Sequence, residues 1–289
     1  MEILRTVEEF RKWSRKVRRR AGAHASGVVG LVPTMGALHA GHASLIRAAA
    51  QSCSHVAVSI FVNPVQFGPN EDYERYPRTF VADCELASAA GAEAVFAPSV
   101  EEMYPEGSAT FVEVEGLSNR LDGASRPGHF RGVSTVVTKL LIAAEPDKAF
   151  FGQKDAAQAA VLRRMVRDLR LGAEIVVCPI VREADGLALS SRNAYLSEEE
   201  RKQALTLSRA VRRVEALVKH GERSAEALIA AARVTFAAEP ANPDPVRVDY
   251  IELVDWSTLQ PVETAAPGTL FAVAAWVGET RLIDNTVLG

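Results

Sequence analysis

The chain has 289 residues, of which 48% are hydrophobic and 24% charged, and this ordinary globular composition excludes intrinsically disordered, collagen-like and coiled-coil proteins. The formal net charge of −3 argues against a dedicated nucleic-acid-binding protein, which would carry a clear excess of Lys and Arg. The three cysteines lack metal-ligand spacing, which argues against a zinc site or a disulfide framework and favours a reducing compartment.

The first 182 residues alternate between predicted strands and predicted helices. Strand-forming runs occupy residues 28–33, 55–62, 92–98, 110–115, 148–152 and 173–181. Helical periodicity and a capping box predict helices over residues 6–19, 41–53, 79–90, 131–144 and 153–170. Strands and helices that alternate at this spacing indicate βαβ units, so we predict an α/β fold with a doubly wound parallel sheet.

The pattern changes after residue 182. Ser197 and Glu200 form a capping box at the start of a long helix. Helices are predicted over residues 197–219 and 224–237, and strands over 246–255, 269–277 and 280–288. Gly278-Glu279 joins the last two strands as a hairpin. Helices followed by antiparallel strands indicate an α+β domain, so we predict two domains, residues 1–182 and residues 183–289.

The sequence predicts a cytoplasmic protein without a membrane partner. It opens with MEILRTVEEF, which lacks the apolar core of a signal peptide. The longest charge-free stretches, residues 21–46 and 48–70, both contain proline, histidine and glycine, and the second also contains asparagine. A membrane-spanning helix needs about 20 predominantly apolar residues, which neither stretch supplies.

Residues 21–70 contain a single formally charged side chain, that of Arg47. Burial of two strands and a helix would explain this composition. A site whose ligand supplies the charge would explain it as well, and both interpretations can hold together.

The segment PTMGALHAGH, residues 33–42, lies between a predicted strand and a predicted helix. Gly36 and Gly41 permit tight turns, and the N–H groups at the start of the helix favour an anion. His39 and His42 are three residues apart, so both can face one ligand. A lone histidine would more often be structural. Two imidazoles at a strand–turn–helix site suit nucleotide phosphates, to which they can donate hydrogen bonds in the transition state.

Neutral amides follow the next predicted strand, in the segment FVNPVQF. Asn63 and Gln66 lie where open α/β sheets bind their ligands, beyond the carboxyl end of a strand. Amides can hold hydroxyl and carboxylate groups while leaving the carboxylate nucleophilic. Loop capping is an equal alternative for Asn63 and a weaker one for Gln66.

The segment FGQKDAAQ, residues 151–158, joins a predicted strand to a helix. Lys154 is expected near the edge of the sheet, where its point charge suits a phosphate, although a solvated lysine is the default interpretation. Asp155 is interpreted as a helix cap, a ribose ligand or a metal ligand. Gln158 lies one helical turn further on, on the side of Lys154.

Two further segments contain arginine beside small residues. In LALSSRNAYLS, residues 187–197, the hydroxyl groups of Ser190 and Ser191 and the guanidinium of Arg192 suit the β- and γ-phosphates of a triphosphate. The position of this segment at the predicted domain junction suits a mobile cover, and an ordinary surface turn is the alternative. RPGHFRG, residues 126–132, is predicted to be a loop near the ligand, with a structural or a functional role.

Taken together, these segments resemble a known family. HAGH is similar to the HxGH signature of the nucleotidylyltransferase and class I aminoacyl-tRNA synthetase superfamily, and SSR to its KMSKS loop. The longer strings resemble the pantothenate synthetase (pantoate–β-alanine ligase) family and match it in order from about residue 28 to residue 197: PTMGALHAGHASLI, SIFVNPVQFGPNEDYERYPRT, RPGHFRGVSTVVTKL, FGQKDAAQ and READGLALSSRNAYLS. The resemblance implies a Rossmann-like sheet with a smaller C-terminal α+β lid domain.

The resemblance also implies a reaction and its site. Pantoate and ATP would form pantoyl adenylate and pyrophosphate, and β-alanine would then attack the acyl carbon to give pantothenate and AMP. The implied catalytic residues are His39, His42, Lys154 and Arg192. The implied ATP-binding residues are Met35, Gly36, Ala37, Leu38, His39, Ala40, Gly41, His42, Gly152, Gln153, Lys154, Asp155, Val181, Leu189, Ser190, Ser191 and Arg192. The implied pantoate- and β-alanine-binding residues are Asn63, Gln66 and Gln158.

The resemblance implies a homodimer that uses ATP, pantoate and β-alanine, with Mg²⁺ held largely by the phosphates of ATP. The sequence departs from the family at three positions. Ala40 and Gln153 replace residues that are commonly acidic, and Leu189 replaces a common methionine. None of these changes removes a group assigned to chemistry, but Gln153 weakens any assignment of a magnesium-binding carboxylate there.

Two other functions remain open at this stage. A nucleotidylyltransferase acting on a phosphate ester would favour additional basic groups near Gln66, and the uncharged stretch argues against it. A non-catalytic nucleotide-binding module is disfavoured because both histidines, Lys154 and Arg192 are present. No basic anticodon-binding domain is visible, so we expect no nucleic-acid partner.

Overall fold

The fold is built from strands and helices, and the strands at the centre of the first sheet are largely buried. The computed structural model of the chain describes residues 1–20, 27–69, 71–241 and 244–289. The strands are β1 (Glu2–Leu4), β2 (Val29–Thr34), β3 (His55–Ile60), β4 (Ala94–Phe96), β5 (Lys148–Gly152), β6 (Glu174–Cys178), β7 (Arg247–Asp255), β8 (Thr269–Val277) and β9 (Thr280–Val287). The helices are α1 (Val7–Arg20), α2 (Ala40–Ser52), α3 (Phe80–Ala90), α4 (Val100–Met103), α5 (Asp122–Ser125), α6 (His129–Ala144), α7 (Ala156–Asp168), α8 (Glu198–Lys219) and α9 (Ala225–Ala237).

Within these described ranges, the first six strands form one parallel sheet in the order β1-β4-β3-β2-β5-β6. The chain moves from β2 to β3 and β4 on one side, and it returns to the other side of β2 at β5. The strand order therefore reverses at β2 and β5, and the carboxyl ends of these two strands flank the place where open α/β sheets bind ligands. The predicted doubly wound parallel sheet is confirmed.

The sheet and its helices enclose a hydrophobic core that accounts for the scarcity of charge in the early part of the sequence. Val32, Val58 and Phe150 of the sheet belong to the same buried cluster as Ile46 and Ala87 of the helices. Each large aliphatic side chain buried in this way contributes about 1.5–3 kcal/mol. A formal charge in these strands would lose its hydration without gaining a partner, so β2 and β3 contain no formally charged residue.

The described residues divide into two compact units. The first contains Met1–Asn119, Arg126–Gly152 and Val161–Cys178, and the second contains Arg120–Ser125, Gln153–Ala160 and Pro179–Gly289. The sequence predicts one boundary near residue 183. The second unit begins slightly earlier, at Pro179, and it also takes two short segments from earlier in the chain.

The second unit is the α+β part of the chain. Strands β7, β8 and β9 form an antiparallel sheet in that order, with β8 and β9 joined at Gly278 as the sequence predicts. Leu207 and Val211 of α8, Leu228 of α9 and Phe271 of β8 lie in one buried cluster. None of the helices in the described ranges is long and apolar enough to cross a membrane.

Residues 110–115, which the sequence predicts to be a strand, do not form one. The N–H of Val112 donates to Oγ1 of Thr135 at 2.9 Å, and the N–H of Val114 donates to Oγ of Ser118 at 3.3 Å. Because hydroxyl groups accept from these backbone donors, no neighbouring strand is needed to satisfy them. The strand prediction was wrong because the alternation of apolar and polar residues does not determine which groups accept the backbone hydrogen bonds.

Three other boundaries differ from the prediction. Strand β6 ends at Cys178 because Pro179 has no N–H to donate to a ladder. Gln153–Asp155 forms a 3-10 helix that precedes α7. The prediction of a loop over residues 126–132 was wrong from His129 onward, because α6 begins there, after Gly128 adopts a left-handed conformation.

A single glycine allows α6 to approach the short 3-10 helix Pro64–Gln66, which follows β3. A Cβ added at Gly132 would lie 2.5 Å from the carbonyl oxygen of Val65 and 2.6 Å from Cα of Gln66. Both neighbours are backbone atoms, so no side-chain rotation can relieve the contact. The close approach sets the position of Gln66 relative to α6.

We predict that Gly132→Ala destabilises the protein by about 1–3 kcal/mol, because the added methyl group must push two backbone segments apart. Urea unfolding monitored by circular dichroism measures this change. Gly172→Ala is the matched control, since nothing lies within 4 Å of its added Cβ. Equal free energies of unfolding for the two variants would contradict the predicted clash.

Candidate active site

The turn between β2 and α2 passes through two residues in the left-handed region. Gly36 has a φ of +86° and Ala37 a φ of +50°. A Cβ added at Gly36 would lie 3.0 Å from Oδ2 of Asp83, so glycine suits both the conformation and the close approach. Thr34 Oγ1 accepts the N–H of Gly36 at 3.2 Å and donates to the carbonyl of Ser59 at 2.7 Å.

Asp83, on α3, holds this turn and was missed in the sequence. Its side chain is only 2% exposed. Oδ2 accepts the N–H of Ala37 at 3.0 Å, and Oδ1 accepts the N–H of Leu38 at 2.7 Å. The hydroxyl of Thr79 also donates to Oδ1, at 3.0 Å. Consecutive backbone N–H groups in such a turn can bind an anion, and here an internal carboxylate already occupies them.

His39 and His42 are brought together at the N-terminus of α2, as predicted. Their ring centroids are 4.1 Å apart. Nδ1 of His39 accepts the N–H of Gly41 at 3.1 Å, and Nδ1 of His42 accepts the N–H of His39 at 3.2 Å. The two imidazoles therefore cap the helix reciprocally, in place of the usual hydroxyl and carboxylate.

This capping arrangement determines where the imidazole protons lie. A nitrogen that accepts a hydrogen bond cannot carry the proton, so Nδ1 of each ring is deprotonated and the neutral tautomer carries its hydrogen on Nε2. Both rings thus present Nε2–H as a donor at a helix N-terminus. Donors at this position favour an anionic ligand, and the helix dipole acts in the same direction.

The amides that follow β3 form a buried network. Gln66 is 8% exposed and Asn63 is 1% exposed. Asn63 Nδ2 donates to Oε1 of Gln66 at 3.0 Å and to the carbonyl of Gly132 at 3.2 Å. Gln66 Nε2 lies 3.0 Å from the sulfur of Met35, which links this network to the turn after β2. The structure therefore places Asn63, Gln66 and Met35 side by side.

Tyr104 completes the partners of Asn63. Its hydroxyl donates to Oδ1 of Asn63 at 2.8 Å. Burial raises the pKa of Tyr104 to about 12, so the phenol keeps its proton at neutral pH and remains a donor. Both hydrogens of the Asn63 amide nitrogen and one side of its oxygen are thus used within the protein.

The segment RPGHFRG contacts the backbone of Gln66, a role that its sequence left open. Buried His129 brings Nδ1 within 2.9 Å of the Gln66 carbonyl and Nε2 within 3.0 Å of the Arg126 guanidinium. Since the carbonyl accepts and the guanidinium donates, Nδ1 carries the proton. Arg126 makes a bidentate ion pair with Glu71 at 2.7 and 2.6 Å. Burial would raise the pKa of Glu71, but the hydrogen bonds and charge of Arg126 outweigh it and lower that pKa.

Lys154 lies two residues after the end of β5, which is Gly152. It occupies the 3-10 helix Gln153–Asp155 rather than α7, so it precedes the helix on which Gln158 lies. Its Nζ is 3.6 Å from Oδ1 of Asp155. The Lys154 side chain is 21% exposed and that of Asp155 is 49% exposed, so both groups can still meet a ligand.

The segment that carries the two serines and the arginine folds back on itself within the second unit. The N–H of Leu189 donates to the carbonyl of Val181 at 2.9 Å. Ser190 caps the 3-10 helix Ser191–Tyr195, and its hydroxyl accepts the N–H of Arg192 at 3.3 Å. The backbone at Val181 therefore lies beside Leu189, the residue that precedes the two serines.

A carboxylate behind this segment fixes it to α8. Oε1 of Glu183 accepts from the Asn193 amide at 2.8 Å, and Oε2 pairs with Arg201 at 2.6 Å. Arg201 also pairs with Asp185 at 2.7 Å. Asn193 also donates to the carbonyl of Ala188 at 3.1 Å, so this side chain links the backbone before Ser190 to Glu183.

Comparison with known proteins relates the whole chain to one family. The family model described as Pantoate-beta-alanine ligase matches residues 2–287. The pantothenate synthetase of Acidobacterium capsulatum is 59% identical over 295 residues, which cover 100% of this chain and 97% of the relative. The crystal structure of pantothenate synthetase from Thermus thermophilus superposes with a TM-score of 0.90 at 45% identity, covering 99% of each chain. That of pantoate-beta-alanine ligase from Francisella tularensis, complexed with beta-gamma ATP and beta-alanine, superposes with a TM-score of 0.78 at 32% identity, covering 99% of this chain and 97% of the other.

We predict that Asp83→Asn lowers the free energy of unfolding by about 1–3 kcal/mol, because an NH₂ group replaces one acceptor and leaves a partly buried backbone N–H unpaired. Urea unfolding tests this prediction. Glu85→Gln, on the exposed face of the same helix, is the control and should change stability by less than about 0.5 kcal/mol. The same small change in both variants would show that Asp83 does not hold the turn.

Proposed function

The chain belongs to the pantoate-beta-alanine ligase family and condenses pantoate with β-alanine to pantothenate in an ATP-dependent reaction, and we propose how its own residues perform that reaction. The observation that supports the proposal most directly is the reciprocal capping of His39 and His42, which presents two Nε2–H donors at the carboxyl end of β2. That position is where the strand order of the sheet reverses.

The chemistry needs an activated carboxyl group, because a carboxylate is a poor acyl donor. In the proposed first step an oxygen of the pantoate carboxylate bonds to the α-phosphorus of ATP, and the bond to pyrophosphate breaks. In the second step the β-alanine amine bonds to the acyl carbon, AMP leaves, and the amine loses a proton. Little covalent chemistry falls to the protein, so positioning and charge stabilisation dominate.

His39 and His42 are proposed to donate from Nε2 to the α-phosphate as negative charge shifts during the attack. Because Asp83 occupies the N–H groups of Ala37 and Leu38, the backbone of this turn is unsuited to hold the phosphates. The phosphate contacts on this side are therefore assigned to the imidazoles and the N-terminus of α2. The remaining atoms of the turn, from Met35 to Gly41, would line the nucleotide.

Lys154, Ser190, Ser191 and Arg192 are proposed to bind the β- and γ-phosphates and the departing pyrophosphate. A lysine supplies a point charge, and a guanidinium with two hydroxyl groups supplies directed donors. Asp155 is assigned to the ribose. Backbone groups near Val181 and Leu189, with the turn at Gly152 and Gln153, are assigned to the rest of the nucleotide.

Gln66 and Gln158 are proposed to bind pantoate. Neutral amides can hold its hydroxyl groups and carboxylate without forming an ion pair that would reduce the nucleophilicity of the carboxylate. For Asn63 the structure supports a different role from the direct ligand predicted in the sequence. Since its amide is used by Tyr104, Gly132 and Gln66, we assign Asn63 to the positioning of Gln66.

Magnesium is proposed to enter with ATP. Across the part of the chain that the structure describes, no group of three or more His, Cys, Asp or Glu side chains is arranged to hold a metal ion. We propose that the ion is held mainly by phosphate oxygens, as is usual for Mg²⁺. When bound, the ion would neutralise charge on the phosphates.

Three further assignments remain proposals. The resemblance to the family supports a homodimer. The free cysteines Cys53, Cys84 and Cys178 suit the reducing conditions of the cytoplasm. The assignment of residues 1–182 to ATP and pantoate binding, and of residues 183–289 to a lid, is supported by the motifs in each part.

We predict that His42→Asn lowers kcat about 10²- to 10³-fold, as expected for the loss of one transition-state donor. The asparagine oxygen can replace Nδ1 as the acceptor for the His39 N–H, so helix capping persists while the Nε2 donor is lost. In His42→Gln the amide nitrogen can lie near the position of Nε2, so kcat should fall less than in His42→Asn. Steady-state kinetics at saturating ATP, pantoate and β-alanine provide the measurement.

His220→Ala is the control for this pair, because His220 is an exposed histidine at the end of α8. Its kcat should match that of the wild-type protein. A His42→Asn variant that retains kcat within threefold would exclude a donor role for His42.

We also predict that Gln66→Ala and Gln158→Ala raise the KM for pantoate about 5- to 150-fold, with a smaller effect on the KM for ATP, because each leaves a substrate polar group without its partner. Initial-rate measurements with each substrate varied in turn give both constants. Gln51→Ala, at an exposed position on α2, should change neither. Equal increases in the KM for pantoate and the KM for ATP would show that these glutamines support the fold of the site and do not bind pantoate.

A further inference from the structure

Strand β9 carries two adjacent polar residues that are both buried. Asp284 is 2% exposed and Asn285 is 3% exposed. Neighbouring residues of a strand point to opposite faces, so burial of both means that protein covers both faces here. A buried polar side chain is costly unless its hydrogen bonds are made, and the partners of these two residues are therefore informative.

Asp284 holds the start of the segment that leads to the serines. Its carboxylate makes a bidentate pair with Arg182, at 2.7 and 2.8 Å. Arg182 also donates to the carbonyl of Gly186 at 3.1 Å. The pair therefore ties the backbone before Ser190 to β9.

Asn285 holds the 3-10 helix that carries Lys154. Its Nδ2 donates to the carbonyl of Gln153 at 3.0 Å and to the carbonyl of Lys154 at 2.9 Å. Its Oδ1 accepts from Nε2 of Gln153 at 3.3 Å. One amide thus makes three hydrogen bonds to two consecutive residues.

The geometry of these bonds bears directly on the direction of the lysine side chain. The carbonyl groups of Gln153 and Lys154 belong to the two peptide planes on either side of the Lys154 Cα. Because a peptide is planar, fixing both carbonyl groups fixes φ and ψ of Lys154 and hence the direction of its Cα–Cβ bond. The side chain then starts from a defined point, so the backbone of Lys154 loses no further conformational entropy when the lysine meets a ligand.

The same contact explains how the chain accommodates glutamine at position 153. The Gln153 side chain donates to Asn285 as a neutral amide. This hydrogen bond adds to the two that Asn285 makes with the backbone of the 3-10 helix that carries Lys154. The contact with Asn285 therefore gives the Gln153 side chain a structural role.

We propose that Asn285 is a positioning residue for the reaction: its amide orients Lys154 toward the phosphates of ATP. This inference depends on the proposed role of Lys154 as a phosphate ligand. Asn285 itself touches no substrate in this proposal and acts only through the Lys154 backbone.

A double-mutant cycle on ATP binding tests the proposal. The dissociation constant for ATP is measured by calorimetry with the full chain for the wild type, Lys154→Ala, Asn285→Ala and the double variant. Asn285→Ala should weaken ATP binding about tenfold in the wild-type background, consistent with the loss of one or two hydrogen bonds. In the Lys154→Ala background, Asn285→Ala should raise the dissociation constant for ATP less than about twofold, because Asn285 is proposed to act only through Lys154.

Two more variants separate positioning from general stability. Leu282→Ala removes a buried side chain of the same strand, and it should lower the melting temperature while leaving ATP affinity within about twofold. Asn285→Asp keeps the size of the side chain but sets a carboxylate against two carbonyl oxygens. It should weaken ATP binding at least as much as Asn285→Ala, and it provides the test should the alanine variant not fold.

The proposal is overturned if the two Asn285 variants bind ATP like the wild type, if Asn285→Ala has the same effect in both backgrounds, or if Leu282→Ala weakens binding equally. A Lys154→Ala variant with wild-type affinity would instead refute the assigned role of Lys154, and the inference with it. Those two failures are distinguished by the single variant at Lys154.

Discussion

The hydrogen bonds from the N–H groups of Ala37 and Leu38 to the buried carboxylate of Asp83 hold the turn on which the rest of the site depends. In the parallel sheet, β2 lies where the strand order reverses. The sheet does not determine the path that the chain takes after β2 ends. Asp83 determines that path. The chain then enters α2, where His39 and His42 cap each other reciprocally.

The proposed substrate contacts separate charge according to substrate. The phosphates are assigned to imidazole, ammonium and guanidinium groups, while the pantoate side has neutral amides held by a network of neutral partners. Tyr104 and Asn63 fix the Gln66 side chain, and the ion pair between Arg126 and Glu71 lies one residue further out, behind His129. A cation beside Gln66 would pair with the pantoate carboxylate and lower its nucleophilicity, so this separation suits an enzyme that uses a carboxylate as its nucleophile.

Much of the architecture could be predicted because it is encoded locally. Capping boxes, helical periodicity and the Gly278 hairpin depend on residues a few positions apart, and the parallel sheet follows from their alternation. Strand β1 is only three residues long and leaves no pattern, and residues 110–115 alternate like a strand yet find hydroxyl partners. The roles of Asp83 and Asn285 depend on partners far away in the chain, and Asn285 lies 132 positions after Gln153. Contacts of that kind leave no local signal.

The two-step mechanism requires the carboxylate of pantoate to be activated by ATP before β-alanine takes part. Exchange of radiolabelled pyrophosphate into ATP measures this directly, with pantoate present and β-alanine absent. Formation of the acyl adenylate is reversible while pyrophosphate remains available, so we expect exchange under these conditions and none when pantoate is omitted. Exchange that appears only after β-alanine is added would contradict a free-standing adenylate and the two-step mechanism.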